Sequence, residues 1–214
     1  MKAFVAASVI CVLGACSAAD FASQRQQLFG PEGWPETRRL DRPIAPVTRP
    51  MLRRLSSMKV ENLLTGEQER IKVSRFGQGV RVREADGCIW TRAGDWFAPS
   101  DSFAACGTSK NWHTAQARIS RSGSLFPMRI GKRAVYERDA VSWNGRTSSR
   151  QTACEVTDTA EVLRPGGRAT PAFVVTCDDG RVARTTWYAP SKGPIAYHEE
   201  RAGKGVRDAW IRLD

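Results

Sequence analysis

Apolar and polar residues alternate in short runs from residue 58 to the end of the chain. Ile71 and Val73, for example, alternate with Arg70, Lys72 and Ser74. Alternation with a period of two is the pattern of a β-strand that buries one of its faces. Further runs of this kind cover residues 80–83, 115–120, 134–138, 153–157, 172–177, 182–189, 195–199 and 206–213.

Turn signals that contain glycine separate these runs, among them Asp86-Gly87 and Asn144-Gly145. Dipeptides of this type join antiparallel strands in tight hairpins. Strands at this spacing are typical of an antiparallel meander that folds into a sandwich, a barrel or a half-barrel. No long amphipathic helical pattern competes with this interpretation. The sequence therefore predicts an all-β domain over residues 58–214.

The N-terminal residues have a different pattern. Lys2 precedes thirteen apolar and small residues, and this stretch ends in Leu13-Gly14-Ala15-Cys16. Its length is that of a signal peptide and is too short to cross a bilayer as a helix. Residues 1–17 resemble the signal peptide of a bacterial lipoprotein, in which a lipobox directs cleavage before a diacylated cysteine.

The resemblance implies that residues 1–15 are removed and that Cys16 is lipidated. Ser17 follows this cysteine, which in the family implies sorting to the outer membrane, with the domain facing the periplasm. An anchor of several acyl chains would be stable, because a single chain binds a membrane only marginally. Ordinary signal-peptidase cleavage, for example after Ala19, is the alternative.

Residues 17–57 contain five prolines, carry a net charge of +3 and show no sustained periodicity. Such a segment cannot bury enough apolar area to offset the entropy of ordering it. We therefore expect residues 16–57 to form a semi-extended tether. Its arginines would either lie against anionic lipid headgroups or remain in solvent.

Four cysteines remain in the predicted domain: Cys88, Cys106, Cys154 and Cys177. An exported chain folds in an oxidising compartment, so two disulfides are expected. We expect the pairs Cys88–Cys106 and Cys154–Cys177, because the second pair flanks a predicted hairpin at residues 165–167. A zinc site would need two cysteines only a few residues apart, and that spacing is absent. We expect neither a metal nor a cofactor.

Candidate catalytic residues are few. His113 and His198 are the two histidines, and no Gly-x-Ser-x-Gly motif accompanies them. His198-Glu199-Glu200 lacks the second histidine of a zinc protease motif. Most carboxylates stand near turns, where aspartate caps its own backbone. We expect a protein without catalytic activity, and a hydrolase of envelope glycan is the alternative.

Aromatic residues and arginine are concentrated near the first cysteine pair. Trp90, Arg92 and Trp96 lie between Cys88 and Cys106, and Trp112 follows shortly after. A loop that carries Trp and Arg can stack on sugar rings or anchor a protein partner. The alternative is that these side chains fill the core of the β-domain. The exposure of Trp90 and Trp96 distinguishes the two.

The chain has 33 Lys and Arg against 22 Asp and Glu, and loss of Lys2 with the signal peptide leaves a net charge of +10. The basic residues alternate along many strands and form no single stripe in the sequence. This pattern and the predicted export argue against nucleic acid as a partner. Anionic lipid, lipopolysaccharide and peptidoglycan are the more available partners.

Three short motifs follow one another in the C-terminal half: Leu125-Phe126-Pro127 to Gly131-Lys132, Pro165-Gly166-Gly167, and Trp187-Tyr188-Ala189-Pro190. Their order is similar to that in small secreted bacterial β-proteins. The resemblance implies an antiparallel β-domain and no catalytic residue. We expect a lipoprotein that binds or scaffolds an envelope component or an envelope protein. An inhibitor of lysozyme-type hydrolases is a further alternative, although such hydrolases are mostly cationic and would repel this chain.

Overall fold

The structure, a computed structural model, describes residues 33–49, 57–77, 79–92, 94–106 and 113–214, with residues 114–116 and 168 described by their backbone alone. These residues form thirteen β-strands and no helix, which confirms the predicted all-β fold. The strands are β1 (Thr37–Arg38), β2 (Ser57–Asn62), β3 (Gln68–Phe76), β4 (Gly79–Arg83), β5 (Ile89–Arg92), β6 (Ser102–Ala104), β7 (Thr114–Gly123), β8 (Arg133–Ser142), β9 (Thr147–Arg164), β10 (Arg168–Asp178), β11 (Val182–Ala189), β12 (Gly193–Arg201) and β13 (Gly205–Arg212).

The strands belong to one antiparallel sheet that is nearly closed into a barrel. Its order is β6-β5-β4-β3-β2-β13-β12-β11-β10-β9-β8-β7, and β1 pairs with β9 beside this path. All neighbours along the path are consecutive in the chain, except for the pair of β2 and β13. The topology is therefore the predicted meander, in which the last strand pairs with the first long one.

The inside of the barrel holds the main hydrophobic core. Successive residues of a strand point to opposite sides of the sheet, so one of every two side chains faces inward. Met58 and Val60 on β2 are buried, and Val82 on β4 is fully buried. Burial of an aliphatic side chain of this size contributes about 1.5–3 kcal/mol. Other large members of this core are Val80, Leu125, Met128, Tyr136, Val156, Phe173, Val175 and Tyr188.

A second, smaller cluster lies on the other face of the sheet and contains Val162, Trp187, Ile195 and Ile211. The N-terminal residues of the described chain cover part of it. The ring of Trp34 lies edge-on to that of Trp187, with a centroid distance of 5.2 Å.

Residues 33–49 lie against the β-domain, although the sequence predicts a tether over residues 16–57. Thr37 pairs with Val162 in the sheet, and the carbonyl of Val47 accepts a hydrogen bond from the N–H of Met128 (2.8 Å). Val47 is also buried in the main core. A few apolar anchors therefore hold this proline-rich segment without any periodic pattern. The other residues of the predicted tether, up to residue 56, lie outside the described residues.

Both predicted disulfides are confirmed. Cys88 and Cys106 flank the paired strands β5 and β6, and their Cα atoms are 4.4 Å apart. Cys154 and Cys177 lie directly opposite each other on β9 and β10, with Cα atoms 4.0 Å apart. Each bridge therefore joins neighbouring strands of the sheet, as the short separations in the sequence indicate.

Candidate binding surface

Most outward-facing charged residues of β2, β3 and β4 are cations, with Glu61 as the exception, and together these cations form a cationic face. The buried residues of these strands are apolar, so the positions that alternate with them face solvent. The register places Lys59 opposite Arg70 and Lys72 opposite Arg83. Like charges opposite each other destabilise a sheet, so folding alone does not favour this arrangement. The cationic face consists of the exposed residues Lys59, Arg70, Lys72, Arg81 and Arg83.

A groove of about 490 Å³ crosses the cationic face. Nη1 of Arg70 donates a hydrogen bond to Oγ of Ser57 (3.3 Å), and the guanidinium of Arg81 lies 4.2 Å from the ring centroid of Phe76. Within the described part of the chain, no carboxylate oxygen lies within 4.0 Å of a charged nitrogen of the cationic face. The groove is lined by Ser57, Arg70, Lys72, Val73, Ser74, Arg81 and Arg83.

The chemistry of this lining is that of a binding surface. It offers positive charge and hydroxyl groups, and its residues include no carboxylate, histidine or cysteine. It therefore presents positive charge and hydrogen-bonding groups to whatever enters the groove. Exposed cations without counter-charges raise the local concentration of anions.

From the sequence, we expect the basic residues to be spread over many strands without a single stripe. The structure corrects this expectation, because it brings five of them together on the cationic face. Four of its members stand as two alternating pairs, one on each side of Gly77-Gln78-Gly79. The antiparallel pairing of β3 with β4 places the two pairs on the same face. The signal was therefore in the sequence, in the combination of alternation and turn position.

Trp90 and Trp96, two of the aromatic residues singled out from the sequence, face the inside of the barrel. Trp96 is 3% exposed and Arg92 is 9% exposed, while Trp90 is partly buried. The Arg92 guanidinium lies 4.4 Å from the ring centroid of Trp90, and its Nη1 donates to the carbonyl of Trp96. These positions fit the alternative that the three side chains fill the core. Trp112 lies outside the described residues.

Several ionisable groups share the interior with Arg92. Burial lowers the pKa of Arg92 to about 10, although Tyr197 and Glu199 act in the opposite direction. The Tyr197 hydroxyl donates a hydrogen bond to Oε2 of Glu199 (2.6 Å), and Nη1 of Arg207 lies 3.2 Å from Oε1 of the same carboxylate. Burial also raises the pKa of Tyr197 well above its ordinary value. Each carboxylate oxygen of Glu199 therefore has a partner of its own.

Two further carboxyl groups lie close to this set. Nε1 of Trp90 donates to Oε1 of Glu84 (2.7 Å), and burial raises the pKa of Glu84. Asp208 stands directly opposite Glu199 in the register of β12 and β13. Burial first, and then the nearby carboxylates of Glu84 and Glu199, raise the pKa of Asp208 to about 7. These two carboxyl groups could not be predicted from the sequence, because charged residues of a strand are expected to face solvent.

Asp95 joins the loop after β5 to the wall of the barrel. Its Oδ1 accepts hydrogen bonds from the N–H groups of Phe97 and Ala98 (2.9 Å each), which confirms the expected backbone cap. The Tyr136 hydroxyl donates to Oδ2 (2.9 Å), and Nη1 of Arg121 lies 3.3 Å from the same oxygen. Asp95 is 2% exposed, so these contacts are structural.

The two histidines lie in unrelated surroundings. His198 is buried on β12, where its ring lies 5.3 Å from that of Trp34. His113 is exposed, with its ring 5.8 Å from that of Trp143. Each therefore has an aromatic neighbour of its own, and the structure does not bring them together.

The potential metal ligands that converge among the described residues are Glu84, Asp86 and Cys88, whose ligand atoms lie within 4.8 Å of one another. The sulfur of Cys88 is bonded to that of Cys106. This group therefore offers no thiolate, which is the form of cysteine that binds zinc.

No helix in the described residues is long and apolar enough to cross a membrane. No protein-family model and no curated protein matches the chain. Among solved structures, the chain is similar to the crystal structure of the hypothetical lipoprotein YmcC from Escherichia coli (K12), with 12% sequence identity and a TM-score of 0.44. The similarity covers 92% of this chain and 97% of that chain. A similarity of this size carries no conclusion about function.

Proposed function

We propose that the protein is a lipoprotein of the bacterial envelope whose β-domain binds an anionic envelope component and catalyses no reaction. The cationic face carries this proposal, because its five exposed cations lie on three neighbouring strands and four of them line one groove. Phosphates of lipids and lipopolysaccharide, or carboxylates of peptidoglycan, supply charges of the opposite sign. Contacts of this kind would add to the net charge of +10 that steers the domain towards anionic surfaces.

The proposed anchor is Cys16, which lies outside the described residues, and the proposed location is the outer membrane facing the periplasm. Its support is the signal-peptide pattern that ends in Leu13-Gly14-Ala15-Cys16. The two disulfides agree with folding in an oxidising compartment.

Labelling with radioactive palmitate and membrane fractionation test the anchor. The wild-type chain should carry the label and sediment with outer membranes. The Cys16→Ser variant should lose the label, and should be released or remain uncut. A Cys16→Ser chain that is correctly processed and still held by the membrane would contradict the anchor.

Sedimentation tests the binding partner. A soluble form that comprises residues 17–214 is mixed with anionic phospholipid vesicles, with lipopolysaccharide or with peptidoglycan. The Debye length falls from about 8 Å at ~0.15 M salt to about 3 Å at ~1 M, so binding through exposed charges should fade between these two conditions. Binding that survives the higher salt, or no binding at either, contradicts the proposal.

The absence of catalysis is tested separately. Purified peptidoglycan is incubated with the same soluble form, and the release of reducing ends is followed. We expect no release above that of a buffer blank. Release that disappears in a His198→Gln or a His113→Gln variant would establish the glycan hydrolase instead.

A further inference from the structure

The hairpin between β8 and β9 carries an exposed tryptophan at its tip. Trp143 is 52% exposed, and hydrogen bonds fix the turn around it. The N–H of Gly145 donates to the carbonyl of Ser142 (2.9 Å), and the N–H of Ser142 donates to the carbonyl of Arg146 (2.9 Å). The Ser142 hydroxyl donates to Oδ1 of Asn144 (2.5 Å). The backbone that carries Trp143 is thus already ordered, which lowers the entropy cost of binding through its ring.

A groove of about 350 Å³ lies beside this tip, across β7, β8 and β9. Val141 belongs to its lining and lies near the end of β8, and Trp143 begins the turn that follows this strand, where its ring lies 5.8 Å from that of His113. Val141 lies opposite Thr147 in the register, and Asp139 lies opposite Ser149. The groove is lined by Arg118, Asp139, Ala140, Val141, Thr147, Ser148 and Ser149.

The lining of this groove differs from that of the cationic face. Its three hydroxyl groups each donate and accept hydrogen bonds, while Arg118 donates and Asp139 accepts. The two charges have opposite signs, so a polyanion gains no net attraction. A lipid chain would leave the polar groups without partners, which costs free energy.

A neutral sugar ring has the matching chemistry. One of its faces presents C–H groups, which pack on an aromatic ring, and its rim presents hydroxyl groups that both donate and accept hydrogen bonds. We infer that the groove across β7, β8 and β9 binds a neutral saccharide chain, with Trp143 as the stacking platform. This site lies on other strands than the cationic face and does not depend on the proposed anionic partner.

Isothermal titration calorimetry tests this inference with the whole chain in a zwitterionic detergent that has no sugar head group. The probes are two neutral oligosaccharides, chitotetraose and maltohexaose. We expect the wild-type chain to bind at least one of them, with an affinity that stays within about twofold between ~0.15 M and ~1 M salt. Trp143→Ala should lower that affinity at least about tenfold. The control is Ile130→Ala, which removes a 59% exposed side chain from another turn and should change nothing.

A second variant, Trp143→Phe, keeps an aromatic ring and should retain affinity within a few-fold of the wild type. Unfolding midpoints should be the same for all of these chains, because both exposed side chains lie in turns. The inference is overturned if the wild type binds neither oligosaccharide or if Trp143→Ala binds as the wild type does. Affinity that disappears at high salt overturns it as well, since stacking and hydrogen bonds between neutral groups survive salt.

Discussion

The carboxylates inside the barrel and the cations of the cationic face differ in the partners that surround them. Inside, Asp95 and Glu199 each accept from a tyrosine hydroxyl and lie within 3.3 Å of an arginine nitrogen. Outside, the cationic face has no carboxylate within 4.0 Å in the described part of the chain. A buried charge must be compensated because it has lost its water, whereas an exposed charge keeps its hydration. The inner charges therefore bear on stability, and the outer ones are free to meet a partner.

The largest effect is expected at Asp95. Asp95→Ala leaves the hydroxyl of Tyr136 and the N–H groups of Phe97 and Ala98 without their acceptor in the protein. We expect the free energy of unfolding to fall by about 3–5 kcal/mol, because each of these buried donors left without an acceptor costs about 1–3 kcal/mol. Urea unfolding measures this, with Glu67→Gln on the surface as the control that should change it by less than about 0.5 kcal/mol. If Asp95→Ala lowered the free energy of unfolding by less than about 1 kcal/mol, the buried carboxylates would matter no more for stability than the exposed charges do.

Asp208 should make stability depend on pH. Its pKa is about 7 in the folded chain, against an ordinary value of 3.8. Between these two values the unfolded chain has released the proton and the folded chain still holds it. The free energy of unfolding should therefore fall as pH rises from about 4 to about 7, by at most about 4 kcal/mol from this group.

Denaturant unfolding of the wild type and of Asp208→Asn across this pH range checks the dependence. The variant should show a flatter profile, because its amide does not titrate. The same substitution at the exposed Asp158 should leave the profile unchanged. Parallel profiles for the wild type and Asp208→Asn would show that Asp208 ionises normally.

The disulfide between β9 and β10 should have the next largest effect. Replacement of both Cys154 and Cys177 by serine opens a loop with a sequence separation of 23. The loss of loop constraint in the unfolded chain predicts a fall of about 3 kcal/mol in the free energy of unfolding. Sedimentation with envelope fractions should be unchanged at temperatures where the variant is folded. A loss of binding by the folded variant would show that binding depends on this disulfide and not only on the exposed cations.

The smallest effect on stability is expected on the cationic face. Arg70→Ala and Arg81→Ala should each change the free energy of unfolding by less than about 0.5 kcal/mol. Lys72→Ala should be neutral or slightly stabilising, because it removes a like charge opposite Arg83. A loss of more than about 1 kcal/mol in any of the three would mean that the face serves the fold.

Most of the strands and both disulfides could be predicted from the sequence because both depend on local information, although β2, β5 and β6 are not among the predicted runs. Alternation located the buried faces, and glycine turns located the hairpins. The short separations within Cys88–Cys106 and Cys154–Cys177 match bridges between neighbouring strands. The extent of β9 could not be predicted, because its first five residues are all exposed and show no alternation in burial.

Two features depend on tertiary contacts and gave no local signal. The segment 33–49 is held by a few anchors such as Trp34 and Val47, which look like isolated apolar residues in a proline-rich stretch. The buried position of Arg92 likewise follows from the rings of Trp90 and Trp96 that cover it. The cationic face could be predicted only in part. The alternation of its residues is visible in the sequence, but their position beside one another depends on the register between β3 and β4.

The central claim is that the cationic face binds an anionic envelope component, and charge reversal tests it most directly. A soluble form of residues 17–214 with Arg70→Glu, Lys72→Glu and Arg81→Glu is compared with one that carries Arg129→Glu, Arg201→Glu and Lys204→Glu. Both variants change the net charge by the same amount, and both sets of residues are exposed. At ~0.15 M salt, the first variant should lose sedimentation with the anionic fraction that binds the wild type, and the second should keep most of it. Equal losses in the two variants would show that net charge alone drives binding, and would contradict a site on the cationic face.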